Sequence, residues 1–516
     1  MLTFLIRRTL ASIAVLAVAS YLVYVLAAIS GNPLGDLIQS RSPNKAELIA
    51  QRVALLNLNV PPYLRYFIWL GGLLKGFVGQ FSLGNAINGQ SVTSELWSAA
   101  GVTLTLVTGA TIIAIIVGLT IGITTALRQY SAYDYTATFV SFLFFSLPIF
   151  WIAVMLKQFG AIGFNNFLSD PQVSPVWIVI LSLLSGVIWM GIIGGNTKRR
   201  LVVFGVATLA AAVVLIYITV TKWLDNPSLG PVVTTVLSLG AAYLITVLST
   251  GWANKKARNT ALTMAGVGLV LYYPLEGDPY GLLHQNNLIN WGTIILFAIV
   301  MCGIGALAGY FWGGVDRNLS IRTGIITGFV VTLILLLDRF MQSWQIYATQ
   351  VALGRPIATI GSSSANLVAD YWITGIDNFT HLLLPTMALI LASIAGYSRY
   401  SRSSLLDVMN QDYIRTARAK GLTERTVVVR HAVRNALIPV TTVITLDFGA
   451  LIGGAVITET VFSWTGMGAL FQQAINQVDV NPIMGVFLVT AIAAVVFNVI
   501  ADLIYSALDP RIRVSA

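Results

Sequence analysis

The residues that could do chemistry concentrate in the polar stretch 399–439, which lies between two apolar segments. It carries three acids (Asp407, Asp412 and Glu424) against eight basic residues: Arg399, Arg402, Arg415, Arg418, Lys420, Arg425, Arg430 and Arg434. A basic excess beside apolar spans is typical of the cytoplasmic face of a membrane. Such a stretch could bind a protein surface or anionic lipid, or it could only set the topology.

The residue spacing within this stretch predicts two short helices around a hinge. Residues 411–420 contain neither Gly nor Pro, and Gly421 can adopt the positive φ that ends a helix. Thr423 can cap a second helix, with Glu424 in its first turn, where the helix dipole favours an acid. Pro439 lies in the next apolar run. We therefore predict a helix-turn-helix knob at the membrane surface.

This stretch resembles the EAA-type loop of ABC importer permeases, in the variant of the dipeptide and oligopeptide permeases. The resemblance is carried by Arg415, Thr416, Ala417, Arg418, Ala419, Lys420 and Gly421, and then by His431, Arg434, Asn435 and Pro439. Other importers often have an acid where Arg415 and Thr416 stand, and the peptide-permease branch shares this departure. The resemblance implies that residues 415–421 couple to a groove of a separate ATPase subunit, and that the four later residues support the loop.

Three further segments are similar to the same family. The opening MLTFLIRR with its apolar span, and the runs 457–462 and 509–513, follow the peptide-permease pattern. The similarity covers roughly residues 1–170 and 377–513 and leaves the middle of the chain unexplained.

Motifs for other chemistries are weak or missing in the sequence. It contains no G-x-x-x-x-G-K-[ST] phosphate loop. His284, His381, His431 and the single Cys302 lack the spacing of a metal site. The glycines of 303–309 lie inside an apolar span, where small residues let helices pack closely. We therefore expect no metal, and no ATP site, on this chain.

Charged groups at membrane depth would mark a transport path or a proton relay. Asp338 and Arg339 lie at a helix terminus, and Asp502 lies near the end of the last span. Only Asp447 falls well inside a predicted span. It could line a pathway, or equally it could be a hydrogen-bonded packing residue.

Composition identifies a membrane protein. Of the 516 residues, 56% are hydrophobic and only 10% are charged, which is far from a soluble balance. The net charge of +10 comes from short basic clusters between apolar spans, as the positive-inside rule predicts, so we expect no nucleic-acid partner.

The apolar spans predict an all-α, polytopic membrane protein with about twelve transmembrane helices. A six-helix permease core is interrupted by about six inserted helices, and both termini are cytoplasmic. A proline within the third span, Pro148, predicts a kink. The predicted segments are a first helix at 1–30, an external amphipathic region at 31–99, core helices at 100–170, an inserted membrane region at 171–338, an external segment at 339–380, and core helices with the coupling loop (399–434) at 381–516.

The insertion departs from the family pattern. Its predicted spans are 176–194, 201–221, 231–250, 259–275, 290–313 and 322–337, and basic clusters alternate with loops that lack positive excess. That alternation supports an even number of spans. Two roles compete, a peripheral scaffold for another protein or lipid and a widened transport chamber, and the absence of charge inside the spans favours the scaffold.

These observations lead to one main function and two alternatives. The resemblance implies a non-enzymatic permease subunit that translocates dipeptides or oligopeptides by alternating access in a bacterial or archaeal plasma membrane. It further implies a second homologous permease, two ATP-binding subunits that hold ATP and magnesium, an extracytoplasmic substrate-binding protein, and contact with membrane lipid. An ion-gradient-driven transporter would need facing ionisable residues within the membrane. A membrane-embedded enzyme of lipid or wall synthesis would need clustered acids or histidines at a membrane face.

Overall fold

The computed structural model describes residues 2–277, 281–285, 288–314, 317–452 and 455–508. Within these ranges the chain is helical, and the nearest approach to a sheet is an isolated bridge between Asn85 and Ser91. The all-α prediction is confirmed. The resemblance noted for 509–513 falls outside the described residues.

The chain divides into two compact units. The first contains Met1–Gly160, Thr359–Ser362 and Leu382–Ala516, and the second contains Ala161–Ala358 and Ser363–His381. The second unit therefore includes the predicted insertion at 171–338 together with most of the segment at 339–380.

The first unit opens with seven helices. They are α1 (Leu2–Ile29), α2 (Gly35–Gln39), α3 (Lys45–Leu55), α4 (Pro62–Leu74), α5 (Val92–Leu127), α6 (Ala132–Ser146) and α7 (Ile149–Met155). A short 3₁₀ turn, Lys75–Val78, follows α4, and a π-helical segment, Leu156–Gly163, follows α7.

The second unit consists of the next helices along the chain. They are α8 (Phe164–Leu168), α9 (Pro175–Ile193), α10 (Thr197–Thr221), α11 (Gly230–Ser249), α12 (Lys255–Glu276), α13 (Trp291–Gly313), α14 (Arg317–Gln342) and α15 (Trp344–Ile346). A 3₁₀ turn, Leu282–His284, precedes α13, and a π-helical turn, Tyr347–Val351, follows α15.

The remaining helices run to the end of the described chain. They are α16 (Tyr371–Met409), α17 (Asp412–Ala419), α18 (Glu424–Thr426), α19 (Val433–Ile452), α20 (Val456–Val461), α21 (Met467–Gln477) and α22 (Val480–Leu508). A π-helical turn, Val427–Ala432, joins α18 to α19.

Ten described helices are long and apolar enough to cross a membrane, or eleven if α6 and α7 with α8 form one broken span. The break lies at Pro148, where the two halves are bent by 102°. The predicted kink is confirmed, and it is sharper than a packing kink because Leu147 and Pro148 are both extended.

The count of ten or eleven falls short of the predicted twelve because of α12. This helix occupies the predicted span 259–275 and is 22 residues long, but its composition is too polar to count among the candidate spans. Eight of its residues besides Glu276 are nevertheless buried, so protein packing supplies part of the apolar surroundings that lipid supplies elsewhere.

The core of the second unit depends on close backbone approach between α13 and α14. A Cβ atom added to Gly305 would overlap the carbonyl group of Gly324, and one added to Gly324 would overlap that of Gly305. Gly309 lies equally close to the backbone of Ile321. The prediction that the glycines of 303–309 allow close packing is confirmed for Gly305 and Gly309.

Candidate functional site

The predicted coupling segment forms the compact knob expected from its sequence. Helix α17 ends at Ala419, and Gly421 has a φ of +76°, the left-handed conformation that glycine adopts at low cost. The Thr423 side chain then accepts a hydrogen bond from the Thr426 amide at 3.4 Å, which caps α18.

The knob is fixed to the membrane helices by its apolar underside. Ile414 is fully buried and Ala417 is nearly so. Both belong to a cluster that includes Leu405 near the end of α16, Ala126 near the end of α5, and Val427 after the hinge. A displacement of α17 would therefore act directly on two membrane helices.

The outer face of the knob is exposed and basic. Arg415, Arg418 and Lys420 are exposed, as are Thr416, Ala419 and Gly421. Arg418 donates two hydrogen bonds to Glu424, from Nη2 to Oε1 at 2.7 Å and from Nε to Oε2 at 3.2 Å. This hydrogen bonding raises the pKa of Arg418 further. The pair closes the hinge, although exposed ion pairs of this kind contribute little to stability.

The residues predicted to support the loop occupy different environments. Asn435 donates from Nδ2 to the hydroxyl of Tyr413 at 2.8 Å and so joins α19 to α17. His431 is half-buried in the π-helical turn, whereas Arg434 and Pro439 are exposed.

A buried carboxylate lies near the other end of α5. Glu459 of α20 is fully buried, and its Oε1 accepts a hydrogen bond from the Thr103 hydroxyl at 2.7 Å. Its Oε2 accepts one from the Ala469 amide at 3.1 Å, while Thr103 itself accepts one from the Met467 amide at 2.8 Å. The Glu459 cluster, composed of these four residues, links α5, α20 and α21.

A large cavity adjoins the Glu459 cluster. Its volume is about 740 Å³, and it is open on one side. Serine, threonine and glutamine side chains predominate among its polar lining residues, and Glu95 is its one acid: Gln90, Ser91, Ser94, Glu95, Ser98, Thr465 and Gln473. Such a lining offers many hydrogen-bond donors and acceptors but little fixed charge.

The predicted groups at membrane depth fall in different units, Asp447 in the first and Asp338 with Arg339 in the second. The side chain of Asp502 is outside the described residues. Asp447 is exposed on α19, next to the Tyr397 hydroxyl of α16. Asp338 is buried in the second unit, where it accepts hydrogen bonds from the Tyr272 hydroxyl at 2.8 Å and the Leu229 amide at 2.6 Å. Asp338 thus has a packing role. No group of three or more potential metal ligands occurs in the described part of the chain.

The sequence reasoning missed Glu459 as a site residue, although it noted the run 457–462. The available signal was a lone acid in that run, flanked by Thr458 and Thr460. Its partners could not be inferred, since Thr103 is 356 positions away.

Comparison with known proteins supports the predicted family. The family described as "Binding-protein-dependent transport system inner membrane component" matches residues 320–514. The oligopeptide transport system permease protein OppB of Mycobacterium tuberculosis (strain ATCC 25618 / H37Rv) is 33% identical over 254 residues, which cover 47% of this chain and 75% of OppB.

Two other relatives are more similar over shorter regions. The oligopeptide transport system permease protein AppB of Bacillus subtilis (strain 168) is 48% identical over 137 residues, which cover 27% of this chain and 43% of AppB. The dipeptide transport system permease protein DppB of Escherichia coli (strain K12) is 45% identical over 138 residues, which cover 27% of this chain and 41% of DppB. This chain therefore spans less than half the length of AppB and DppB in these matches. Taken with the match to OppB and the multi-pass helical architecture, these similarities show that the chain belongs to the family of binding-protein-dependent transport system inner membrane components.

Proposed function

We propose that this chain is the membrane-spanning permease subunit of an ATP-driven importer of dipeptides or oligopeptides. The observation that carries the proposal is the two-sided coupling helix α17. Its exposed basic face is available to a partner, while Ile414 and Ala417 on its buried face pack against the ends of two membrane helices.

This arrangement suits transmission of force from an ATPase subunit. Since packed apolar cores deform little, a push on the outer face of α17 moves α5 and α16 with it. Ala417 contributes to this anchoring from inside the knob and does not contact the partner itself. The exposed residues Arg415, Arg418 and Lys420 are the proposed contacts.

The cavity beside the Glu459 cluster suits a peptide as the cargo. Peptide groups present one donor and one acceptor per residue, and the Ser, Thr and Gln side chains can satisfy both along a path without fixing one sequence. We also propose Asp447 as a residue of the transport pathway, because it is a carboxylate exposed on a membrane helix. An ion-gradient mechanism is less well supported, since Asp447 has no charged group as a partner among the described ion pairs.

The proposal includes the partners that the function requires. These are a second homologous permease, two ATP-binding subunits carrying ATP and magnesium, and an extracytoplasmic substrate-binding protein, in a bacterial or archaeal plasma membrane. No ATP hydrolysis is assigned to this chain, which acts as a transport subunit.

The test compares two glycines with the same local geometry. Gly421 and Gly251 both have positive φ, and a Cβ atom at either would meet no neighbour. Proline cannot adopt a positive φ, so Gly421→Pro and Gly251→Pro should disturb their turns to a similar degree. We expect Gly421→Pro to insert normally but to abolish ATP-dependent peptide uptake and co-purification of the ATPase subunits, whereas Gly251→Pro keeps both. Normal uptake by inserted Gly421→Pro would overturn the coupling role of this segment.

A further inference from the structure

Helix α4 carries a buried arginine without an ion-pair partner among the described residues, although it also borders a smaller cavity that Asp479 lines. Arg65 is 8% exposed, and no carboxylate of the described residues forms an ion pair with it. Its Nε has no hydrogen-bond partner in the described part of the chain, and its guanidinium lies against the neutral hydroxyl of Tyr24. A buried charge that is neither paired nor fully hydrogen-bonded is costly, so this arginine requires an explanation.

A second buried donor lies one turn further along α4. The indole Nε1 of Trp69 also has no hydrogen-bond partner among the residues that the structure describes, and Trp69 is 6% exposed. Both Arg65 and Trp69 line the same cavity of about 220 Å³. Its other polar lining residues are Tyr24, Asn57, Ser82, Asn85 and Asn481, and none of the lining residues is acidic. The cavity, called here the Arg65 cavity, therefore offers positive charge and unused donors.

The donors are held in place by rigid aromatic packing. The rings of Tyr24, Tyr66 and Trp69 lie 5.7 to 6.3 Å apart, and the Tyr66 hydroxyl shares a hydrogen bond with Ser20 at 2.8 Å. Because α1 and α4 are joined by these contacts, the Trp69 ring is held at the cavity and the backbone that carries Arg65 is fixed beside it. Preorganised donors of this kind favour binding of a complementary group.

We propose that the Arg65 cavity binds a phosphate group, with the guanidinium and the indole N–H donating to its oxygens. Arginine combined with a neutral donor in a cavity without acids selects an oxyanion. The apolar residues exposed beside it on α4, among them Leu64, Phe67 and Ile68, would lie along acyl chains. A phospholipid headgroup is therefore one source of the phosphate, and free inorganic phosphate is the other.

The experiment measures binding to the full chain in neutral detergent with two probes, phosphatidylglycerol and inorganic phosphate, at constant ionic strength. Arg65→Gln should weaken binding about tenfold or more, as expected for loss of a hydrogen bond to a charged group. The matched control is Lys75→Gln, which removes an exposed positive charge from the same stretch and should leave binding unchanged. Trp69→Phe removes the N–H but keeps most of the ring, and it is the test variant to use if Arg65→Gln does not fold.

The outcomes distinguish a lipid source of the phosphate from an inorganic one, and both from non-specific charge or a water-filled cavity. Binding of phosphatidylglycerol alone identifies a lipid site, and binding of both probes identifies a general phosphate site. Either result supports the proposal if Arg65→Gln or Trp69→Phe weakens binding and Lys75→Gln does not. Equal losses in Arg65→Gln and Lys75→Gln would indicate non-specific surface charge and overturn it. Absence of binding to the wild-type chain would mean that water fills the cavity, and would also overturn it.

Discussion

At the scale of single residues, the Glu459 cluster shows how a carboxylate can be buried without a cation. Two donors, the Thr103 hydroxyl and the Ala469 amide, each take one of its oxygens. Gly466 makes this possible, because a Cβ atom there would lie 2.5 Å from the Glu459 carboxyl group and from the Thr103 oxygen. The cluster therefore depends on a missing side chain as much as on its hydrogen bonds.

Gly466→Ala should destabilise the protein. The added methyl group forces Glu459 and Thr103 apart, and overpacking of this kind costs about 1 to 3 kcal/mol. The control is Gly101→Ala in α5, where a Cβ atom meets no neighbour. Thermal unfolding in detergent should show a lower midpoint for Gly466→Ala only. Equal midpoints for the two variants would mean that the cluster adapts freely.

Asp479, between α21 and α22, gives the protein a pH-dependent stability. Burial raises the pKa of Asp479 to about 6, against the lowering effect of hydrogen bonds from the Ile87 and Asn481 amides. Its pKa in an unfolded chain is about 3.9. Between these values the folded state binds more protons, so this contribution to stability decreases from about pH 4 to pH 6 and is then constant.

Asp479→Asn should remove this decrease. Unfolding midpoints measured across that pH range should fall with rising pH in the wild-type chain and fall less in the variant. Asp412→Asn, which removes an exposed carboxylate, serves as the control and should follow the wild type. A variant curve parallel to that of the wild type would refute the assignment to Asp479.

At the scale of elements, the coupling knob was predictable because it is determined locally. Gly421 and Thr423 mark a helix end and a cap by residue type alone, and the structure has both where the sequence predicts them. The spacing of Ile414 and Ala417, an apolar pair at i and i+3 among polar neighbours, indicates the inner face of α17. The partners of that face on α5 and α16 were not predictable, because they lie far away in the chain.

The α13–α14 pair offers a test at this scale. Gly305→Val should separate the two helices and lower the yield and thermal stability of the folded chain, because the backbone of Gly324 occupies the space for the side chain. Gly303→Val, where a Cβ atom meets no neighbour, should be tolerated. If both variants behaved alike, close packing at Gly305 would not be what holds this pair together.

At the scale of the whole molecule, composition was sufficient to predict a membrane protein, but hydropathy did not distinguish every predicted span from the other helices. Helix α12 shows the reason, since its buried residues include the polar Thr260, Tyr272 and Glu276, which packing tolerates and a hydropathy average penalises. The segment at 339–380 joins the second unit through contacts such as the hydrogen bond from the Trp372 indole Nε1 to the Leu283 carbonyl at 2.9 Å, which no local pattern predicts.

The insertion contains a hairpin that packs mainly on itself. Helix α10 has no buried residue, and α9 buries only Ser182 and Gly186. A Cβ atom at Gly186 would meet Thr208 and Phe204, which both belong to α10. The α9–α10 hairpin therefore contributes little to the remainder of its unit.

Deleting residues 175–221 should leave peptide uptake close to the wild-type rate, because the hairpin supports no buried core and removing two spans preserves the orientation of those that follow. The control deletion, 291–342, removes α13 and α14 and should prevent folding of the second unit. Uptake and membrane insertion are measured for both. Loss of uptake by the inserted hairpin deletion would favour the widened chamber over the scaffold.

The bare surface of α10 also has an evolutionary consequence. Outside its contacts with α9, α10 buries no side chain against protein, so selection there acts only on hydropathy and one apolar residue can replace another without cost. Among proteins that share this insertion, α10 should therefore drift faster than α13 or α14 while its hydropathy is preserved. A fixed pattern of particular residues along one side of α10 would instead indicate that a partner binds there.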